Sequence, residues 1–66
     1  MKTVFERLDG AFPVILDQHS FSTRGKQFRL TYGVSVKSNL DYAEACKELG
    51  EALLHCLTCE GVIDGG

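Results

Sequence analysis

No apolar run in the 66 residues approaches the roughly 20 needed to cross a bilayer, and the N-terminal residues lack the apolar core of a secretory signal, so a soluble protein is expected. An even cysteine count is missing too. Cys46, Cys56 and Cys59 make three, which argues against a disulfide framework and fits a reducing cytoplasm. Glycine-rich phosphate loops are absent: Gly25 and Gly33 stand alone and Gly65-Gly66 form a tail. The only candidate general bases, His19 and His55, have no serine or acid spaced as a triad or nucleophile elbow. A chain this short also has little volume for a pocket. Neither catalysis, nor a cofactor, nor a small-molecule substrate is expected.

Cys56 and Cys59 do form a C-x-x-C, with His55 and Cys46 nearby. A closed zinc site takes four ligands, usually from two separated pairs, whereas all of these fall on one segment of helical pattern. His55 points about 100° away from Cys56 on such a helix, and Cys46 lies more than two turns off. A thioredoxin-like role requires the pair at a helix N-terminus, where the dipole lowers the thiol pKa, and here it sits at the C-terminal end. The cysteines are therefore expected to serve as small core hydrophobes, with no metal.

What the chain does contain is a strict alternation. Phe28, Leu30, Tyr32, Val34 and Val36 interleave with Arg29, Thr31, Gly33, Ser35 and Lys37. Period two marks a half-buried strand, with five apolar side chains on one face and the cations Arg29 and Lys37 on the other. Upstream, residues 12–16 read as a strand with Pro13 near its start. Before it, residues 3–9 fit either a capped helical turn or a strand of a hairpin turning at Asp9-Gly10, the strand being preferred. The polar cluster around Gly25, residues 20–27, predicts a hairpin loop that makes residues 14–21 and 27–36 antiparallel partners.

After the strand, Ser38 or Asn39 can cap a helix of about 20 residues, with Asp41 and Glu44 in its first turn and Gly61 as its stop, Val62 folding back in a Schellman arrangement. Its apolar stripe is Tyr42, Ala45, Cys46, Leu49, Ala52, Leu53 and Cys56. The expected architecture is a single α+β domain over residues 1–66: a two- or three-stranded antiparallel sheet covered by one long C-terminal helix.

Charge is segregated beneath a formal net of −2. Arg24, Lys26, Arg29 and Lys37 occupy residues 22–37 without an acid, whereas beyond residue 38 Lys47 alone opposes Asp41, Glu44, Glu48, Glu51, Glu60 and Asp64. Asp41, Glu44, Glu48 and Glu51 recur at steps of three, four and three, a line of carboxylates that suits docking on a basic protein surface. A second helical seam of Ala43, Gly50, Leu54 and Leu57 has no obvious cover in a single-sheet monomer. Gly50 costs about 1 kcal/mol against alanine in a helix interior, which close approach of a second protomer would offset.

These features point to a non-catalytic, cytoplasmic protein-binding module: a small dimeric regulator or inhibitor presenting the acidic helix face to a basic partner. The alternatives are a nucleic-acid-binding module using Arg24, Lys26, Arg29 and Lys37, and a purely structural subunit. Against the nucleic-acid reading, the polar strand face offers Thr31, Gly33 and Ser35 where a single-strand binder presents aromatics, and the overall balance is acidic.

Overall fold

The structure, a computed structural model, describes residues 2–23 and 26–63, without the side chains of residues 20–23 and 26. Over these residues the chain forms β1 (Lys2–Arg7), β2 (Val14–Thr23), β3 (Lys26–Tyr32), β4 (Ser35–Leu40) and α1 (Tyr42–Cys59). The strands form one antiparallel meander in chain order, β1-β2-β3-β4, with the helix on one face. The α+β class and the C-terminal helix agree with expectation, but the sheet has four strands rather than two or three.

The additional strand was hidden inside the alternating run. Gly33, at φ +59°, supplies the positive φ that a two-residue hairpin loop of type II′ needs at its first central position, and its N–H donates to the Pro13 carbonyl at 2.9 Å. Tyr32 therefore pairs with Ser35, so the two strands flanking the turn are out of phase with the alternation. Val36 lies opposite Thr31 on the face away from α1, while Lys37 lies opposite Leu30 on the helix face. Val34, at the turn, is fully exposed. Arg29 and Lys37 thus occupy opposite faces, and Val34 and Val36 are outside the core.

The N-terminal ambiguity resolves as a strand. β1 pairs with β2 through residues 8–13 instead of a tight Asp9-Gly10 turn, and β2 begins after Pro13. A bulge between Thr3 and Phe5 leaves Val4 as an extra residue on this edge strand. Pairing of β2 with β3 reaches Thr23 and Lys26, so much of the loop expected over residues 20–27 is strand; residues 24 and 25 lie outside the described residues.

A second bulge sets the helix entry. Phe28 pairs with Leu40 and Leu30 with Lys37, so two β4 residues oppose Arg29 alone. Asn39 takes φ +57°, a conformation asparagine tolerates better than most residues, and the offset carries Leu40 into the core. Ser38 and Asn39 are consequently strand residues. The N-cap is Asp41, whose carboxylate accepts from the Glu44 N–H at 2.8 Å while the Glu44 carboxylate accepts from the Asp41 N–H at 3.0 Å. At the other end Gly61, at φ +80°, donates to Thr58 and Val62 donates to Leu57, completing the Schellman motif.

The core between sheet and helix comprises Val14, Leu16, Phe28, Leu30 and Leu40 against Ala45, Ala52 and Cys56, with Phe5, Phe12, Tyr32, Leu49 and Leu53 packed at its margin. Leu30, Val14 and Cys56 are fully enclosed. Two members of the expected helix stripe lie outside it, since Tyr42 and Cys46 are exposed.

Candidate functional site

Four strands span about 14 Å between the outermost axes, at about 4.8 Å per step, whereas a helix with its side chains is roughly 10 Å across. One helix cannot cover the sheet. The α1 backbone lies over β3 with β2 and β4 to its sides and does not come close to β1. The helix-facing side of β1 is therefore left beside an open trough of about 350 Å³, whose walls and floor include Val4, Leu16, Phe28, Tyr42, Cys46 and Leu49. Most of this lining is apolar, and Val4 and Tyr42 are exposed at its rim.

Along α1 the residues of the seam expected at a dimer interface alternate with those of the trough wall, Ala43 following Tyr42 and Gly50 following Leu49, but none of the four lines the trough. Ala43 is exposed, Leu54 is 58% exposed, and Gly50 and Leu57 are half-buried. A Cβ placed on Gly50 would meet no atom within 4 Å. Nothing among the described residues, then, requires glycine at this position.

On the opposite flank of α1 the expected acidic line divides by role. Asp41 and Glu44 satisfy each other in the capping box. Glu48 is ion-paired with Lys37, an interaction that raises the Lys37 pKa chiefly through the hydrogen bond. Glu51 remains exposed and borders a cleft of about 270 Å³ with Tyr32, Lys37, Glu48 and His55. The line is therefore part cap, part ion pair and part exposed edge.

The four candidate nucleic-acid contacts do not form a described patch. Arg24 and the Lys26 side chain lie outside the described residues. Arg29, on the open sheet face, bonds Asp17 at 3.2 Å, and Asp17 also accepts from the Thr3 hydroxyl at 3.1 Å, so a buried acid sits within that face. Lys37 points to the helix side and meets Glu48.

Cys56 is the core cysteine; Cys46 and Cys59 are exposed, so the C-x-x-C pair is divided between core and surface. Cys59 Sγ instead lies 3.7 Å from His55 Nε2, one helical turn away, and the His55 ring packs 5.7 Å from that of Phe12. Among the described residues no group of three or more His, Cys, Asp or Glu is placed to hold a metal ion, and no helix is long and apolar enough to cross a membrane.

Sequence reading missed a cluster at the C-terminal end of α1. Arg7 donates twice to Glu60, at 2.7 and 2.9 Å, and once to Cys56 Sγ at 3.2 Å, while the Ala11 N–H and the Cys56 thiol donate to Glu60 Oε2. The Arg7 hydrogen bonds hold the Glu60 carboxyl down at about 2, and they raise the Arg7 pKa in turn. No periodicity links residues 53 apart in sequence, so the pattern carried no signal of this pair.

No protein-family model matches the chain, and no curated protein and no solved structure matches it.

Proposed function

We propose that the protein is a non-catalytic protein-binding module, a small regulator or inhibitor whose docking surface is the β1-side trough together with the adjoining seam of α1. The observation that carries this reading is the trough itself: an apolar recess lined by Val4, Leu16, Phe28 and Leu49, with exposed Tyr42 at its rim. Apolar surface left in water is costly at about 25 cal/mol per Å², and contiguous patches of it commonly mark interaction sites. Exposed Glu44 and Glu51 on the outward side of α1 suit a partner with a basic surface. The free thiols of Cys46, Cys56 and Cys59 suit a reducing compartment, the cytoplasm.

The nucleic-acid alternative has less support, because Arg29 and Lys37 each face a carboxylate and lie on different sides of the sheet. Affinity capture in the native cell tests the preferred reading. A partner held by the wild-type protein is expected to be lost on Val4→Lys, which puts a charge in the trough wall, and weakened by Glu51→Lys. Equal capture by Val4→Lys and Leu54→Lys would remove this surface from the account. Salt-sensitive retention of mixed DNA or RNA would favour the alternative.

A further inference from the structure

The three thiols differ in what stands one helical turn away. Cys46 has Tyr42 and Gly50 four residues to either side, and neither is a metal ligand of choice. Cys56 is fully enclosed, and its sulfur is engaged by Arg7 and Glu60. Cys59 is exposed, and its side chain, tilted towards the helix N-terminus as α-helical side chains are, meets His55 one turn back. The two donor atoms, Cys59 Sγ and His55 Nε2, stand 3.7 Å apart.

That separation has a chemical meaning. Zinc binds sulfur at about 2.3 Å and imidazole nitrogen at about 2.0–2.1 Å, so two such ligands at the tetrahedral angle lie about 3.6 Å from each other. The pair already stands at that spacing. A thiol–imidazole hydrogen bond keeps the same two atoms together before a cation arrives, and the His55 ring is further held by packing 5.7 Å from Phe12, whose own ring lies 6.2 Å from that of Tyr32. A ligand ring oriented in advance loses less freedom on chelation. Electrostatics supply an independent argument. The pair sits at the C-terminal end of α1, where unsatisfied carbonyls leave a partial negative charge, and no lysine or arginine in the last turn compensates it. Arg7, which reaches this end from β1, is paired with Glu60. A cation between His55 and Cys59 would occupy the place a basic residue ordinarily fills.

We propose that His55 Nε2 and Cys59 Sγ are the protein ligands of a surface site for a borderline divalent cation, zinc above all, at the C-terminal turn of α1. A closed four-ligand site is out of reach of one helix; this is an open, two-ligand site, and both of its residues face solvent. Its nitrogen and sulfur donors suit zinc and not magnesium or calcium, which take oxygen. As the metal–sulfur bond forms, the Cys59 thiol proton passes to solvent, and coordination through His55 Nε2 leaves the ring proton on Nδ1. Chelation across one turn fastens the end of α1. The site goes beyond the protein-docking reading and does not depend on the trough.

Cobalt(II) and zinc titrations of the reduced protein test it. Cobalt(II) is expected to give a near-ultraviolet thiolate-to-metal absorption band that saturates at one cation per chain and is abolished by added zinc. Zinc alone is expected to raise the urea midpoint with increasing concentration and to shift the nitrogen resonance of His55 Nε2 more than that of Nδ1. Cys59→Ser and His55→Ala, both at exposed positions, are expected to keep the wild-type circular dichroism spectrum. Cys59→Ser is expected to lose the cobalt band, and each variant to bind zinc about tenfold more weakly or worse. Cys46→Ser is expected to retain both the band and the affinity. A wild-type protein without the band, a band that survives Cys59→Ser, or a band lost in Cys46→Ser would each overturn the site. Zinc affinity left unchanged by His55→Ala would overturn it as well, since the ion would then be held by a lone thiol.

Discussion

The Arg7 guanidinium at the end of β1 grips the Glu60 carboxylate at the C-cap of α1 through two hydrogen bonds, at 2.7 and 2.9 Å. With the Arg7 bond to Cys56 Sγ, this pair ties the edge strand to the helix through side chains, because the α1 backbone does not come close to β1.

Acid should loosen this tie in a defined window. The Glu60 carboxyl titrates at about 2 in the folded protein against an ordinary 4.5, chiefly because of the Arg7 hydrogen bonds. The unfolded chain therefore takes up this proton at higher pH than the folded one. The stabilisation is complete above about 4.5 and is lost as pH falls towards 2. Urea midpoints measured from pH 6 to pH 2.5 are expected to fall across that window in the wild type. Glu60→Gln is expected to start lower and show a shallower fall; an identical slope would place the acid sensitivity elsewhere.

Two glycines predict opposite outcomes for the same substitution. A Cβ at Gly10 would overlap the Arg7 guanidinium and the Glu60 carboxylate, so Gly10→Ala is expected to displace the pair and destabilise the fold. At Gly50 the Cβ enters open space in a helix interior, where alanine is favoured over glycine by about 1 kcal/mol. Gly50→Ala is expected to raise the urea midpoint. Chemical denaturation of both variants side by side checks the contrast.

The hairpin at Gly33-Val34 assigns unequal weight to residues that look equivalent in the alternating run. Leu30 is fully buried, so Leu30→Ala is expected to cost about 2–5 kcal/mol. Val34 stands in solvent, and Val34→Ala is expected to change stability by less than about 0.5 kcal/mol. A continuous strand over residues 28–36 would have made the two losses similar. Gly33→Val, placed at φ +59°, is expected to be costly whatever the space around it.

Much of the fold was legible in the sequence because it rests on local pattern. The helix followed from its apolar stripe and its Gly61 stop, and Leu30 and Phe28 followed from the period-two run. The fourth strand escaped because a two-residue loop consumes one full period of the alternation, so the apolar rhythm continued through Tyr32, Val34 and Val36 while the chain reversed. The Asn39 bulge had a similar effect at the helix start, carrying Ser38 and Asn39 into β4 and shifting the cap to Asp41. Of the candidate site, the seam at Gly50 was visible as a helical spacing. The trough beside it was not, since it exists only because four strands are wider than one helix.

The cap supplies the last test and bears on how the acidic face should be probed. Asp41 accepts the Glu44 N–H at 2.8 Å, and removing an N-cap acceptor typically costs about 0.5–2 kcal/mol, so Asp41→Ala is expected to lower stability by that amount. Ser38→Ala, at an exposed β4 position, is expected to leave it unchanged. Because Glu44 reaches back to the Asp41 N–H at 3.0 Å, reversing its charge would remove half of the capping box along with any partner contact. Reversing Glu48 would likewise set two lysines together at Lys37. Glu51, exposed and hydrogen-bonded in neither pair, is the carboxylate whose reversal leaves the cap intact, while adding a lysine to the cleft it shares with Lys37. A partner that is lost on Glu44→Lys but retained on Glu51→Lys would therefore indicate damage to the helix start rather than recognition of the acidic face, and thermal melts of the two variants would show the difference directly.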